Sequence, residues 1–334
     1  MKKRKSLLIG LFSLVTLFLL SGCEAFDLDV FDPKGPQARE IMGLINWSLI
    51  WIGIIFVVVI AMFIYIVWKY RASRNHEDYD PEEKGNHKLE VIWTLIPFVI
   101  CVVLLIPNSK VLYKLEDFPE EYKNQEPLTI HVTSADWKWI FSYPELGIET
   151  VNYMIMPVDT PVTLKLTSAG TMQSLWIPSL AGQEYTMVNM ETELPIVADV
   201  VGEYWGKNTN FNGEGYQSME FEVLVQTQED FNKWVQEIKE KAPKLTEEEY
   251  AELLQPSVLG QTKSYSSTHL EFVNHADHSA PSTKYLNPEK YLHDYEYPGK
   301  IFDEKITSED KHDSHEEHDS HEGHESHGGD HSGH

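Results

Sequence analysis

The chain reads as a membrane α plus all-β protein, with a two-helix transmembrane hairpin followed by an antiparallel β-sandwich. Three observations predict this. Leu44 to Trp68 is an apolar run without a charged residue. A second uncharged run, Val91 to Ser109, lies between Glu90 and Lys110. From Leu128 onward apolar and polar residues alternate with period two, the mark of half-buried strands.

Composition narrows the classes. The apolar residues of this 334-residue chain concentrate in its first third, and the remainder is polar and acidic, for a formal charge of -25. Such a surface repels the phosphates of nucleic acid and of anionic lipid, so the membrane contact is hydrophobic and no nucleic-acid partner is expected. The two cysteines are Cys23 and Cys101. The first belongs to a processing signal and the second falls mid-span, so no structural disulfide is expected and the β-domain has no thiolate.

Residues 1–22 form the expected signal peptide. Lys2, Lys3, Arg4 and Lys5 make a positive start, and the apolar run Leu7–Leu20 follows. Leu20-Ser21-Gly22-Cys23 resembles a bacterial lipobox, which predicts cleavage before Cys23 and a thioether-linked diacylglycerol on it, with palmitate as the expected acyl chain. Each buried methylene of such a lipid adds about 0.8 kcal/mol of membrane affinity. Residues 23–40 then form a short extracytoplasmic segment.

Residues 41–112 make the hairpin. At about 1.5 Å per residue the first run crosses a hydrocarbon core of about 30 Å. Lys69, Arg71 and Arg74 follow it at once and mark that end as cytoplasmic. Pro97 and Pro107 in the second run are tolerated where neighbouring groups re-satisfy the backbone. With the lipidated end outside, the first helix runs inward and the second outward. Everything after about Leu112 is then extracytoplasmic, in the cell membrane of a bacterium.

The sandwich is expected over 125–228. Leu128–Thr133, Val162–Leu166 and Met219–Val225 alternate, with Pro, Gly and Asn turns between strands. An extension over 229–300 begins with a helix whose Phe231, Trp234, Val235 and Ile238 share one face. Thr246 followed by Glu249 reads as a capping box for a second, short helix. Beyond Pro256 the pattern fades to either an extended wrap on a partner or disorder.

Two transmembrane helices and an outward sandwich resemble subunit II of the haem-copper respiratory oxidases, across roughly residues 35–235. Glu90-Val91-Ile92-Trp93-Thr94-Leu95-Ile96-Pro97 is similar to the start of that family's second helix. Asp136-Trp137-Lys138-Trp139 resembles its aromatic strand, and Trp176-Ile177-Pro178 its next marker. The resemblance implies that the sandwich is cupredoxin-like. In the cytochrome c oxidase branch it also implies a two-copper centre, held by two cysteines, two histidines, a methionine and a glutamate carbonyl.

Here those positions depart from the pattern. The cysteine positions hold Asn208 and Asn212, the glutamate position Asn210, and the histidine positions Gln173 and Tyr216; Met219 alone is retained. Soft thiolates hold and tune such copper, so one thioether among amides and a phenol implies a lost centre and no cytochrome c partner. The departure resembles the quinol oxidase branch, in which a membrane-soluble donor reaches a haem inside the bilayer. Trp137–Ile148 and the lipobox resemble that branch too, in its menaquinol-using form, although menaquinol and ubiquinol both stay open. The resemblance implies a non-redox subunit, with haems and copper in oxidase subunit I, further membrane subunits as partners, and quinol as the substrate of a proton-translocating, oxygen-reducing complex. No cofactor and no catalytic centre are expected in this chain alone.

Several residues carry two readings. Glu90 is an interfacial acid or, as the resemblance implies, the start of a proton path into subunit I, which requires a pKa within reach of cytoplasmic pH. Trp137 and Trp139 are expected at the subunit interface, with Trp139 and Tyr143 also readable as core aromatics. Asn208, Asn210 and Asn212 are relics or loop formers. The acidic tail, 301–334, holds His312, His315, His318, His321, His324, His327, His331 and His334. It cannot form a core and is expected to be disordered, as a solvated tail or a weak metal-capturing one. The alternative function is therefore an extracytoplasmic metal-binding lipoprotein acting through that tail.

Overall fold

The computed structural model describes residues 28–71 and 85–277. The expected signal peptide, Cys23 and the His-rich tail lie outside them. Helix α1 spans Pro36–Lys69 and α2 spans His87–Leu115. Pro36 suits the first turn of α1, where its missing N–H would have no intrahelical partner anyway. At the C-terminal end of α1 Lys69 lies over the rings of Tyr65 and Tyr70, 5.7 and 5.2 Å from their centres. Asn86 caps α2 by accepting from the N–H groups of Lys88 (3.1 Å) and Leu89 (3.4 Å). Beside Pro107, the side-chain amide of Asn108 donates to the Leu104 carbonyl at 2.8 Å.

Both helices run several residues past the uncharged stretches at the end of the hairpin nearer the sandwich, wider than the expected 41–112. Their apolar side chains are exposed on the isolated chain, leaving faces for lipid or other helices. The two helices and the residue 24–111 family match reported below make this a membrane protein with a C-terminal domain outside the bilayer.

That domain is a sandwich of two sheets. Its strands are β1 (Leu128–Ala135), β2 (Lys138–Tyr143), β3 (Ile148–Val151), β4 (Tyr153–Pro157), β5 (Val162–Ser168), β6 (Gln173–Trp176), β7 (Gln183–Thr186), β8 (Thr192–Ile196), β9 (Gly202–Asn208), β10 (Glu220–Gln226) and β11 (Lys263–Tyr265). One sheet runs β11-β3-β2-β1-β5-β8 and the other β4-β10-β9-β6-β7. Most pairs are antiparallel as predicted, but β1 with β5 and β4 with β10 are parallel. Ile130, Val132, Trp139, Phe141, Leu164, Phe221 and Val223 fill the space between the sheets. Full burial of each such side chain contributes about 1.5–3 kcal/mol.

The extension is part of the fold. Helix α3 (Gln228–Lys241) turns its buried Phe231 and Val235 onto the sandwich, and Trp234 packs edge-on against Tyr143. Helix α4 (Glu247–Leu253) is capped by Thr246, which accepts from the Glu249 N–H at 3.2 Å. The second half of the predicted box is replaced, because the Glu249 carboxylate accepts from Tyr265 Oη at 2.7 Å. The chain then adds β11 beside β3. Residues 256–277 thus wrap on this chain's own sandwich, which is neither of the expected alternatives, a wrap on a partner or disorder.

This wrap explains why every residue of β2 is buried. Trp139, Phe141 and Tyr143 face the inter-sheet core, while Ile140 joins a second core with Tyr250, Leu253, Leu254 and Tyr265. Lys138 and Ser142 lie on that second face. The Lys138 ammonium is satisfied by the carbonyls of Asp136 (3.0 Å), Gln255 (2.8 Å) and Ser257 (3.0 Å) and by Ser257 Oγ (2.8 Å). Its burial nevertheless pushes its pKa down to about 7.

Candidate functional site

The residues at the copper-ligand positions do converge, at one end of the five-stranded sheet. Strand β6 brings Gln173 alongside β9, where Leu175 pairs with Asn208. The chain leaves β9 at Asn208, crosses Gly213 and a 3-10 turn over Glu214–Ser218, and re-enters the sheet after Met219. The Asn208 N–H donates to the Met219 carbonyl at 3.0 Å and closes the base of this loop.

Inside the loop the polar side chains bond to one another and to the backbone. Asn208 Oδ1 accepts from the N–H groups of Ser174 and Asn210, each at 3.0 Å, and Asn208 Nδ2 donates to the Asn210 carbonyl at 2.8 Å. Asn210 Nδ2 donates to the Met172 carbonyl at 2.8 Å. Gln173 Nε2 donates to Asp136 Oδ1 at 2.9 Å. Asn212 Nδ2 donates to the Met219 sulfur at 3.6 Å. The Tyr216 ring packs on Phe211, with centroids 5.6 Å apart.

A copper pair does not fit this set. Asn208, Asn210 and Asn212 bond as turn and loop formers do, and the one soft donor, Met219 Sδ, already accepts a hydrogen bond. Gln173 Oε1, Asn212 Oδ1 and Ser174 Oγ are buried without a partner. They are neutral, hard oxygens, suited to water. Among the described residues no cluster of three His, Cys, Asp or Glu could hold a metal.

The interface expectation for the two tryptophans needs correction. Trp137 lies beneath the loop, its Nε1 donating to the Asn212 carbonyl at 3.1 Å. The loop runs so close that a Cβ on Gly215 would stand 2.2 Å from the Trp137 ring. Only 7% of Trp137 is exposed, and Trp139 is wholly buried against Phe221. Neither presents a surface to a partner, because the chain's own loop covers the first and the second sheet covers the other. Tyr143 is likewise a core residue, its hydroxyl donating to the Ile155 carbonyl at 2.9 Å.

Glu90 stands apart from this region, in the first turn of α2 at the opposite end of the hairpin. Its carboxylate lies 3.2 Å from His87 Nδ1, beside an open depression of about 440 Å³ that Thr94 and Phe98 also line. The i, i+3 spacing of His87 and Glu90 on one helix was the available signal for this pair.

Sequence reading missed the contact that ties the start of α1 to the sandwich. The Lys34 N–H donates to the Ser179 carbonyl at 2.7 Å, and the Asp199 N–H to the Lys34 carbonyl at 3.0 Å. Arg39 forms an ion pair with Asp199. Gly35 passes so near β8's end that a Cβ there would stand 2.2 Å from the Val197 carbonyl oxygen. Only glycine allows that approach.

Comparison with known proteins agrees with this geometry. Residues 24–111 match the family described as cytochrome c oxidase subunit II, transmembrane domain. Quinol oxidase subunit 2 of Bacillus cereus is 45% identical over 275 residues, covering 82% of this chain and 94% of the relative. Quinol oxidase subunit 2 of Bacillus subtilis is 45% identical over 270 residues, covering 80% and 83%. The chain belongs to the quinol oxidase subunit 2 family. A probable quinol oxidase subunit 2 of Staphylococcus epidermidis is 42% identical over 276 residues, covering 83% of this chain and 71% of the relative. Among solved structures, the periplasmic domain of subunit II of cytochrome oxidase from Bradyrhizobium japonicum aligns with a TM-score of 0.33 at 22% identity, covering 34% of this chain and 94% of that one. Membership in the subunit 2 family carries with it an oxidase complex and other oxidase subunits as partners. The alternative of a metal-binding lipoprotein is not favoured by relatives of this name.

Proposed function

We propose that this chain is the non-redox subunit II of a proton-translocating quinol oxidase. Quinol, in the menaquinol form, is oxidised and oxygen reduced to water in a partner subunit that carries the haems and copper. This chain braces that partner, and its sandwich faces the extracytoplasmic side, with Cys23 lipidated. The observation that supports the reading is the exchange at the copper-ligand positions, where Asn208 and Asn212 replace both thiolates, Gln173 and Tyr216 both imidazoles, and Asn210 the glutamate. An electron donor arriving from water finds no relay in such a domain, whereas a quinol in the bilayer needs none.

Glu90, at the cytoplasmic mouth of α2 with His87 beside it, supplies protons to the partner. The carboxylate, exposed and 3.2 Å from an imidazole, is placed where protons from bulk water would enter.

The test is a gentle purification through this chain, followed by oxygen uptake with quinol and with reduced cytochrome c. Quinol-driven uptake by a haem-containing complex, without cytochrome c activity, is expected. A chain that emerges without haem proteins, or a complex that uses cytochrome c, would sink the reading. Glu90→Gln should slow uptake and proton release together by roughly tenfold or more, in line with the 10²–10⁴ that positioned acid–base groups contribute. Unchanged rates would remove Glu90 from the path.

A further inference from the structure

At the outer end of the hairpin, Gln37 is a buried amide without a partner. It sits in the first turn of α1, is 3% exposed, and neither Oε1 nor Nε2 finds a hydrogen bond. Its neighbours offer little: Pro36 has no N–H, and Gly35 caps the helix without a side chain. Buried amides left unsatisfied within a chain are uncommon and call for an occupant.

Gln37 also walls off two adjoining cavities, of about 410 and 160 Å³. The larger lies between the start of α1, the end of α2 and the segment after it, with Pro36, Tyr113, Leu115 and Phe118 among its lining. Liquid water takes about 30 Å³ per molecule, so this space suits a ring or a polyol rather than one water. Gln37 precedes Leu44, the first residue of the uncharged run, by seven positions, roughly 10 Å along the helix. The cavity is therefore at head-group depth, within reach of a molecule whose tail is in the bilayer.

Charge selects among head groups. The Glu40–Lys114 ion pair ties the two helices at the cavity wall, and Lys123 is paired with Glu120 at 2.7 Å. With Asp117 and Glu121 the lining carries four acids, Glu40, Asp117, Glu120 and Glu121, against two bases, Lys114 and Lys123. An anionic head group is disfavoured there. The carboxamide offers one oxygen to accept and one N–H₂ to donate, which a hydroxyl complements in both directions.

We propose that this cavity binds the uncharged, hydroxyl-bearing head group of a membrane amphiphile, with Gln37 as its hydrogen-bonding residue. Two molecules carry that chemistry: a quinol, whose arm rests on the proposed oxidase function, and a neutral glycolipid, whose arm rests only on the hairpin spanning a membrane.

The test uses the full chain in its purified complex, reconstituted in phosphatidylcholine nanodiscs, as wild type and as Gln37→Met. Methionine keeps the length of the side chain and removes both hydrogen-bonding atoms. Retention of two probes, a reduced naphthoquinol and a glucosyl diacylglycerol, is measured together with phosphatidylglycerol as an anionic control. At least one neutral probe should bind the wild type and lose tenfold or more in Gln37→Met, with the melting temperature not lowered. Loss confined to the naphthoquinol identifies the quinol as occupant, and loss confined to the glycolipid identifies a neutral lipid. Failure of both to bind, equal binding within twofold in the variant, or Gln37-dependent retention of phosphatidylglycerol would each overturn the proposal. If the variant does not assemble, photoreactive forms of the two neutral probes on the wild type decide, by labelling residues 36–40 or 113–121 or by missing them. Quinol-driven oxygen uptake on the same samples keeps the two readings apart. Its absence overturns the oxidase assignment and leaves the glycolipid arm standing, while loss of both arms with uptake intact overturns this inference alone.

Discussion

Asn212 donates its side-chain amide to the sulfur of Met219 at 3.6 Å, so the one thioether left at the copper-ligand positions is engaged within the chain. Met219 is fully buried and closes the base of its loop through its backbone carbonyl, which accepts from Asn208. Its role is packing.

Met219→Leu should therefore leave the copper-to-haem ratio and the quinol-driven rate of the complex unchanged within twofold. A swap of similar volume costs less than about 1.5 kcal/mol of stability. Elemental analysis with an oxygen electrode checks this. A fall in copper content would make Met219 a ligand.

The loop and Trp137 support each other sterically. Gly215→Ala places a methyl group 2.2 Å from the ring, too close for any real contact. Overpacking of this kind costs about 1–3 kcal/mol, read as a lower melting temperature. In the double variant with Trp137→Ala the glycine penalty should largely vanish, because the clashing ring is gone. Additive losses in a double-mutant cycle would show that the two residues act independently.

Lys138 fastens the C-terminal wrap to the sandwich. Lys138→Met fills the space but removes the ammonium shared by the Asp136, Gln255 and Ser257 carbonyls, of which Asp136 keeps the Ser257 N–H at 3.1 Å and Gln255 keeps Ser257 Oγ at 3.3 Å. Loss of a hydrogen bond to a charged donor costs about 1.5–3 kcal/mol. Limited proteolysis should then cut between residues 254 and 262 at least tenfold faster than in the wild type. An unchanged cleavage rate would mean that the second apolar core holds the wrap without the lysine.

The wrap also carries an acid-sensitive point. His275 Nε2 is hydrogen-bonded to the Tyr250 hydroxyl at 2.7 Å, and the ring is 6.0 Å from that of His269. Burial, and then the neighbouring His269, push the His275 pKa down to about 3. An unfolded chain protonates the same histidine near 6.5, so below that pH the unfolded state binds a proton that the folded state refuses. The stabilising contribution is complete above pH 6.5 and is lost as pH falls from there towards 3, by up to about 1.4 kcal/mol per unit. Melting curves of the chain in detergent at pH 7.5 and 5.0 should separate more for the wild type than for His275→Gln, whose amide can still hydrogen-bond to Tyr250. Equal separation would rule His275 out as the sensitive group.

The sequence by itself determined the features written in local pattern. The charge-free runs mark the two spans because charged side chains are expensive in hydrocarbon, and the period-two alternation of Leu128–Thr133 and Met219–Val225 marks strands because one face of each must be apolar. The exchanges at Gln173, Asn208, Asn210, Asn212 and Tyr216 were legible position by position, since ligand chemistry is a property of residue type. Tertiary structure alone decided what depends on distant partners. Lys138 and Ser142 look solvent-facing in the β2 pattern, and only the wrap from residues beyond 250 buries them, joining Lys138 to Ser257 and Ser142 to the Glu149–His269 pair. Trp139 became core rather than interface because the second sheet sets Phe221 against it. Gln37 looks in sequence like an ordinary polar residue at a helix start. Its isolation follows from the packing of α1, α2 and the sandwich around one side chain, which no run of neighbours along the chain encodes.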